Sequence, residues 1–275
     1  MQYLKYIFLL LVFKSLSASA QKDSLLKVSL ITSIQANAVD FTTDNLGNIY
    51  VLNATNQIKK LSNKGDSIAV YNDVRRYGKI FSIDATNPLK VLVYYREFAT
   101  ILILDRLLNV RNTIDLRQQN IAQAKLITSS YDNNIWLFDE LENKLKKIDD
   151  NGRVLLETPD FRQIFEEAIS PSIIYDRDGL VYLYDSARAL ITFDYYGARK
   201  NNFKIKGISD LQVMDKNTIL GRNKTHIILY KPATLQSFTF KLQSQMQGFK
   251  KINFNNSRLY VLTTTGALEI YNMPS

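Results

Sequence analysis

Short runs of hydrophobic residues alternate with polar turns along most of the chain, and the pattern repeats. Each of three clear units has a polar turn, an apolar and aromatic run, a second apolar run and a turn that contains glycine. Their first runs are residues 49–52, 135–138 and 180–184, and their glycines are Gly65, Gly152 and Gly197. Runs rich in Ile, Val, Leu, Tyr and Phe between Asp, Asn and Gly turns are typical of strands joined by hairpins. The pattern therefore predicts an all-β chain.

Three weaker copies, with runs at residues 89–94, 217–220 and 258–262, complete a series of six units. One position can be followed through all of them: Ile49, Val91, Ile135, Val181, Ile219 and Leu259. A unit of four short strands that recurs about every 40–45 residues is typical of a β-propeller blade. We therefore predict a six-bladed β-propeller with four-stranded blades. An aromatic residue recurs at one strand position, which indicates packing between blades: Tyr50, Trp136, Tyr182 and Tyr260.

The two ends of the chain predict how the ring closes. The last unit stops near Asn272 after three strands, so it lacks a fourth. An apolar run at residues 26–31 precedes the first unit and belongs to no other blade. Pairing of this run with the last blade would close the ring and cover an exposed strand edge. We expect this closure; the alternative is a frayed N-terminal tail.

The repeated residues resemble those of the NHL and related six-bladed propellers of bacteria. The matching pattern is Asp44, residues 47–51, residues 58–61 and Gly65, and it is echoed from Asp132 and Asp176. The resemblance spans nearly all of the chain after residue 20, and it implies the fold. Propellers of this kind include lactonase-like hydrolases, carbohydrate- or peptide-binding modules and scaffolds, so the resemblance leaves the function open.

The N-terminus predicts export. Lys5 precedes the apolar residues 6–13, and small residues follow up to Ala20, before Gln21. This order is typical of a secretory signal peptide cleaved between Ala20 and Gln21. A membrane-spanning helix would need about 20 apolar residues, whereas Lys14 interrupts this run. We therefore predict a signal peptide at 1–20, a single propeller domain at 21–275, and a periplasmic or secreted location.

Composition excludes several kinds of site. The chain has no cysteine and a single histidine, His226. Disulfides, thiolate zinc sites, cysteine nucleophiles and sites with two histidine ligands are therefore excluded. An exported chain without cysteine fits a bacterial envelope better than eukaryotic secretion, and it cannot carry a lipid on a cysteine. His226 begins an apolar run and no Gly-x-Ser-x-Gly motif is present, so we interpret this histidine as structural.

Four polar residues on or beside the predicted innermost strands are candidates for a metal-dependent, lactonase-like centre in the channel: Asp40, Asp84, Asp210 and Asn253. They do not share one repeated register, so the sequence does not predict that they converge. Residues 149–152 and 176–179 resemble calcium loops, but they lack the glutamate of the twelfth position, and we interpret them as hairpin turns. We predict no cofactor and no catalytic residue.

One segment breaks the strand pattern. Asp160 and Gln163 match a capping box, and a helix after them would place Phe161, Ile164 and Phe165 on one face. Such a helix could dock a partner or pack on its own propeller. The sequence leaves both interpretations open.

The charge of the chain bears on its partners. It has 35 basic and 26 acidic residues, and the first 20 residues contain two lysines and no acid, so residues 21–275 carry a net charge of +7. The basic residues are scattered rather than clustered in a stripe, which does not favour nucleic-acid binding. A positive surface could attract an acidic protein or an anionic lipid surface. We predict a non-enzymatic propeller that serves an envelope secretion or assembly machine as a protein-interaction or accessory subunit. The alternatives are the lactonase-like hydrolase and a glycan or small-molecule binding module.

Overall fold

A computed structural model describes residues 24–72, 76–165, 168–243 and 248–273. In these residues the chain forms 25 strands arranged in six sheets. The predicted signal peptide and its cleavage site between Ala20 and Gln21 lie outside the described residues. Within the described part, no helix is long and apolar enough to cross a membrane.

Each sheet is one blade, and its strands follow one another from the inside of the ring outwards. Two strands, β1 (Ser24–Leu25) and β2 (Ser29–Gln35), precede the blades. Blade one holds β3 (Ala38–Thr43), β4 (Ile49–Asn53), β5 (Ile58–Leu61) and β6 (Ser67–Tyr71). Blade two holds β7 (Ser82–Asp84), β8 (Val91–Tyr95), β9 (Thr100–Leu104) and β10 (Val110–Asp115). Blade three holds β11 (Ala124–Ser129), β12 (Ile135–Asp139), β13 (Lys144–Ile148) and β14 (Val154–Glu157).

The second half of the ring follows the same plan. Blade four holds β15 (Ile173–Arg177), β16 (Leu180–Asp185), β17 (Ala189–Phe193) and β18 (Arg199–Phe203). Blade five holds β19 (Ser209–Asp215), β20 (Thr218–Arg222), β21 (His226–Lys231) and β22 (Gln236–Lys241). Blade six holds β23 (Lys251–Asn255), β24 (Arg258–Leu262) and β25 (Ala267–Asn272). Helical structure in the described residues is short: 3-10 turns at Arg96–Phe98 and Leu116–Gln119, and α1 (Phe161–Ile164).

The N-terminal segment closes the ring, as predicted. Strand β2 pairs antiparallel with β25 and is the fourth strand of blade six, with Ser33 opposite Glu269. The closing strand is Ser29–Gln35 rather than 26–31, because Leu26 is buried in the core between blades five and six instead of joining the ladder. Strand β1 adds in parallel to β22, the outer strand of blade five. The segment therefore fastens two neighbouring blades, and the six-bladed, closed propeller is confirmed.

The core consists of six hydrophobic clusters in the described residues, one at each junction between neighbouring blades. Several second and third strands are buried on both faces, which explains their continuous apolar runs; β8, β9, β12, β16 and β17 are buried along their whole length except at one end of β16. The recurring aromatics are at most 2% exposed, as predicted: Tyr50, Trp136, Tyr182 and Tyr260.

Hairpin turns use the Asp, Asn and Gly residues in the way that the sequence predicts. The Asp149 carboxylate accepts hydrogen bonds from the backbone N–H groups of Asn151 and Arg153, both at 2.9 Å. Asp178 and Gly179 have φ values of 50° and 85°, which suit a two-residue hairpin loop. Because neighbouring strands in a blade are antiparallel, the hairpins from first to second strand and from third to fourth strand lie on one face of the disc. We call it the hairpin face.

Candidate functional site

The first strands of the six blades surround a central channel, which contains a cavity of about 300 Å³. Three of the four predicted channel residues line it: Asp84, Asp210 and Asn253. Asp40 does not. Each of these four side chains forms hydrogen bonds with other residues of the protein, and these bonds limit its ability to bind a metal ion or a ligand.

The two aspartates of the cavity both reach a neighbouring blade. Asp84 accepts hydrogen bonds from the Thr128 hydroxyl at 2.8 Å and from the Ser129 backbone N–H at 2.6 Å, which joins blade two to blade three. Asp210 accepts from Arg222 Nε at 2.6 Å and from the Ile252 backbone N–H at 3.0 Å, which joins blade five to blade six.

The other two candidates join blade six to blade one. Asn253 Oδ1 accepts a hydrogen bond of 2.8 Å from the Thr43 hydroxyl, and Lys251 Nζ donates to Asp40 at 2.6 Å. Among the described residues, no group of three or more His, Cys, Asp or Glu side chains is arranged to hold a metal ion. The structure therefore uses these four residues as contacts between blades and does not bring them together as one centre.

Tyr175, on the first strand of blade four, lies on the wall of the channel. It lines both the channel cavity and a second cavity of about 250 Å³ at the mouth on the hairpin face. Burial raises the pKa of its hydroxyl, so Tyr175 is neutral at physiological pH. His226 lies on the third strand of blade five, outside the lining of the channel, with Nδ1 2.8 Å from the Thr225 hydroxyl.

A larger cavity, of about 610 Å³, opens on the hairpin face above blades one to four. We call it the hairpin pocket. Its lining combines two aromatic rings, one arginine and several neutral polar side chains, chiefly Tyr131, Tyr195, Arg177, Asn45, Thr86 and Asn87. A cavity of about 300–1,000 Å³ with a few convergent polar groups is the usual size and chemistry of a small-molecule site.

Asp176 forms part of the wall of the hairpin pocket and crosses from blade four to blade three. Its Oδ2 accepts from the Ser130 hydroxyl at 2.9 Å and from Trp136 Nε1 at 3.1 Å, and its Oδ1 accepts from the Tyr195 hydroxyl at 2.8 Å. Burial raises the pKa of the Asp176 carboxyl even though these donors favour its charged form. Asp176 thus fixes the pocket's aromatic wall.

Two tyrosines form that wall. The rings of Tyr131 and Tyr195 stack with 4.2 Å between centroids and 13° between planes. The ammonium group of Lys147 lies 5.0–5.6 Å from the centroids of both rings and of Trp136, and it is paired with Asp132. Tyr131 is nevertheless 69% exposed. The wall is therefore rigid on one side and open to a ligand on the other.

Arg177 lies between the hairpin pocket and the channel mouth and lines both cavities. Its Nε atom is buried and has no hydrogen-bond partner in the part of the chain that the structure describes. Asp178, next in the chain, accepts from the Lys216 backbone N–H at 2.8 Å. A guanidinium group stays charged at any physiological pH, so Arg177 presents a positive charge to both cavities.

The predicted docking helix packs on its own propeller. Asp160 caps it by accepting a hydrogen bond from the Arg162 backbone N–H, but α1 has only one turn and Phe165 is already extended. Phe161 is fully buried and stacks on Phe193 with 5.0 Å between centroids. Phe161 is therefore a core residue and cannot contact a partner.

The other two residues of that face, Ile164 and Phe165, line a groove of about 520 Å³. We call it the rim groove, since it follows the connection from blade three to blade four and the two outer strands of blade four. Ile164 is 38% exposed. Four cationic side chains share the lining with them: Arg188, Arg199, Lys204 and Lys206. Arg199 lies over the Phe165 ring at 5.2 Å, and Arg188 lies 3.8 Å from Asp185.

Sequence patterns did not indicate the hairpin pocket. The aspartates of the hairpin turns look equivalent in sequence, but the strand pairing shows that they are not. Asp176 lies opposite Val181 in blade four. At the corresponding position of blade one, Thr43 lies opposite Ile49. Asp44 instead stays within its own turn and accepts from the Asn48 backbone N–H. The sequence feature that could have indicated this pocket is an arginine between two aspartates, at residues 176–178.

Comparison with known proteins bears on the fold. No family model matches the chain, and no curated protein is similar to it in sequence. Virginiamycin B lyase from Staphylococcus aureus is 12% identical, with 90% of this chain and 100% of that chain covered and a TM-score of 0.63. A streptogramin B lyase is 17% identical, with 87% and 80% covered and a TM-score of 0.61.

The propeller domain of Cps50 (Swd1) from Myceliophteria thermophila is 8% identical, with 90% and 100% of the two chains covered and a TM-score of 0.60. At such identities the likeness extends to the fold alone. By its structure and by its neighbours, this chain is a β-propeller.

Proposed function

We propose that this chain is an exported, non-enzymatic β-propeller that binds an acidic segment of a protein partner and serves a machine of the bacterial envelope as an accessory subunit. The rim groove is the observation that carries the proposal. An apolar surface made by Ile164 and Phe165 lies beside four cationic side chains in one groove of about 520 Å³. This combination suits a segment that alternates acidic and apolar residues.

The charges of the groove support an acidic occupant. Arg199, Lys204 and Lys206 are exposed, and residues 21–275 carry a net charge of +7. A positive patch that faces a negative segment increases the rate of encounter and excludes partners of the wrong charge. Two glutamates, Glu166 and Glu167, follow Phe165 in the sequence and lie outside the described residues.

The state of the channel supports binding rather than catalysis. Its acidic side chains are engaged in contacts between blades, as described above for Asp84 and Asp210, and a metal-dependent hydrolase would need them to converge on one ion. No observation favours the hydrolase alternative. Export rests on the predicted signal peptide at 1–20.

The first experiment uses residues 21–275 and a fluorescent peptide of twelve residues that alternates Glu with Leu. We expect saturable binding, followed by fluorescence anisotropy. The variant Arg199→Glu/Lys204→Glu/Lys206→Glu should weaken it at least about tenfold, because three favourable charge contacts become repulsive. The matched control Lys59→Glu/Lys64→Glu/Arg111→Glu reverses three exposed charges elsewhere and should bind almost as the parent does.

The second experiment places a photo-crosslinking amino acid at position 164 and irradiates the protein in the envelope fraction of its host. A partner crosslinked at 164, lost in the groove variant and kept in the control, would support the proposal. Equal loss of peptide binding in both triple variants would contradict it, since the attraction would then reflect net charge and not the groove.

A further inference from the structure

We propose that the hairpin pocket binds an acidic sugar, with Arg177 pairing with the sugar's carboxylate and the Tyr131 ring supporting its pyranose face. This site is separate from the rim groove and does not depend on the proposed function. It lies on the hairpin face and is lined by four blades, whereas the groove is confined to the outer part of blade four and the connection before it.

The surroundings of Arg177 indicate that the ligand of the hairpin pocket carries a carboxylate. Its Nε is buried without a hydrogen-bond partner among the described residues, and a buried donor without an acceptor is costly. The two flanking acids are engaged elsewhere: Asp176 accepts from Tyr195 and other donors, and Asp178 accepts from the Lys216 backbone N–H. A carboxylate that entered the pocket would supply the missing acceptor in the two-point geometry that guanidinium groups favour.

The aromatic wall of the hairpin pocket indicates that the ligand contains a sugar ring. Tyr131 is held from behind by its stack on Tyr195, and Tyr195 is held by its hydrogen bond to Asp176. The C–H groups of a pyranose pack well on the electron-rich face of such a ring. A cationic ligand is disfavoured, because the ammonium group of Lys147 already lies over the aromatic rings.

The remaining lining favours a carbohydrate over a peptide. Pro88 adds an apolar surface, and Asp176 and Asp178 contribute carboxylates that already accept hydrogen bonds from the protein. Besides the tyrosines and Arg177, the pocket otherwise presents neutral amide and hydroxyl groups, including those of Asn45, Thr86 and Asn87. Such groups can exchange hydrogen bonds with ring hydroxyls, whereas an apolar peptide side chain would find no pocket to fill. A volume of about 610 Å³ leaves room for one or two sugar rings.

The test is isothermal titration of residues 21–275 with digalacturonate and, as the neutral counterpart, with digalactose. We expect digalacturonate to bind and digalactose to bind at least about tenfold more weakly, because it lacks the charged hydrogen bonds to Arg177. Arg177→Gln should weaken digalacturonate binding at least about tenfold, and Arg177→Lys should restore part of it. Tyr131→Ala should weaken both sugars.

Three controls separate specific binding from effects on folding and on overall charge. Tyr196→Ala removes the neighbouring tyrosine, which is 87% exposed and does not line the pocket, and should bind digalacturonate like the parent. Because the buried Nε of Arg177 has no hydrogen-bond partner among the described residues, Arg177→Gln should leave the melting temperature unchanged or raise it. The groove variant of the previous subsection should bind the sugar normally.

Three results would overturn the proposal. These are a failure of digalacturonate to bind at all, binding of digalacturonate by Arg177→Gln as by the parent, and equal binding of digalactose. Binding of a short peptide through its C-terminal carboxylate, at an affinity above that of digalacturonate and sensitive to Arg177→Gln, would assign the pocket to peptides instead.

Discussion

Two junctions of the ring are built in different ways. Around blade six, backbone pairing by the N-terminal segment is added to the side-chain contacts between blades: β2 completes the ladder of blade six, and β1 joins the edge of blade five. The junction between blades three and four rests on side chains. Asp176 crosses it to Ser130 and Trp136, and Phe161 fills it between Phe138 and Phe193.

The difference explains where the candidate sites lie. A strand ladder brings two segments into continuous contact and leaves no room between them. Side chains that meet across a junction leave spaces beside them, and both the hairpin pocket and the rim groove border the junction of blades three and four. The backbone pairing of β1 and β2 closes the ring, and the side-chain contacts between blades three and four lie beside both proposed binding surfaces.

The largest expected effect concerns the closing strand. Deletion of residues 21–35 removes β2 and exposes the edge of β25 in blade six, so we expect an aggregating or much less stable protein. Deletion of residues 21–23 should change the melting temperature little. Soluble expression and thermal melting measure both, and equal stability of the two truncated chains would show that the backbone ladder does not hold the ring closed.

A smaller loss is expected at the side-chain junction. Phe161→Ala removes a fully buried ring that stacks on Phe193 and should lower the free energy of unfolding by about 3–5 kcal/mol. Ile164→Ala, on the exposed side of the same helix, should cost less than about 1 kcal/mol. Urea denaturation measures both. A Phe161→Ala protein as stable as the parent would contradict the account of this junction.

Two aspartates of this junction should respond to pH in opposite directions. Burial raises the pKa of Asp176, so the folded protein favours the protonated carboxyl. The folded state is therefore more stable at acid pH, and this stability is lost as the pH rises through the raised pKa. The side chain of Arg162 lowers the pKa of Asp160, so Asp160 adds stability at neutral pH that is lost as the pH falls through the lowered pKa.

Matched amide variants test these signs. Between pH 4 and 7, the stability of Asp176→Asn relative to the parent should rise with pH, whereas that of Asp160→Asn should fall with rising pH between pH 2 and 4. Thermal unfolding across these two ranges measures both slopes. Slopes of the same sign would contradict the assignment of Asp176 as the buried, destabilised carboxyl.

The sequence predicts the ring well because its repeats encode local structure. The second strands that begin at Ile49 and Ile135 share an apolar and aromatic run, so the number of blades follows from the spacing of such runs. Closure follows from a last unit that has only three strands. The sites do not follow, because they depend on contacts between blades. Asp44 and Asp176 belong to similar motifs. Asp44 accepts a hydrogen bond within its own turn, whereas Asp176 accepts one from Trp136 of the neighbouring blade. The difference depends on how one sheet packs on the next.

The channel candidates and the docking helix show the same limit. Asp84 and Asp210 lie at the channel, as predicted, but their partners on neighbouring blades cannot be found from the sequence of one repeat. Asp160 caps its helix as predicted. The helix ends after one turn, and Phe161 is buried in the hydrophobic cluster between blades three and four.

A charge exchange at the rim groove tests the central claim most directly. The account predicts that Arg199→Glu/Lys204→Glu/Lys206→Glu rejects the Glu/Leu peptide but binds a Lys/Leu peptide of the same length, whereas the control Lys59→Glu/Lys64→Glu/Arg111→Glu keeps the preference of the parent for the acidic peptide. If both triple variants change their preference alike, or neither does, the rim groove is not the binding surface for an acidic partner.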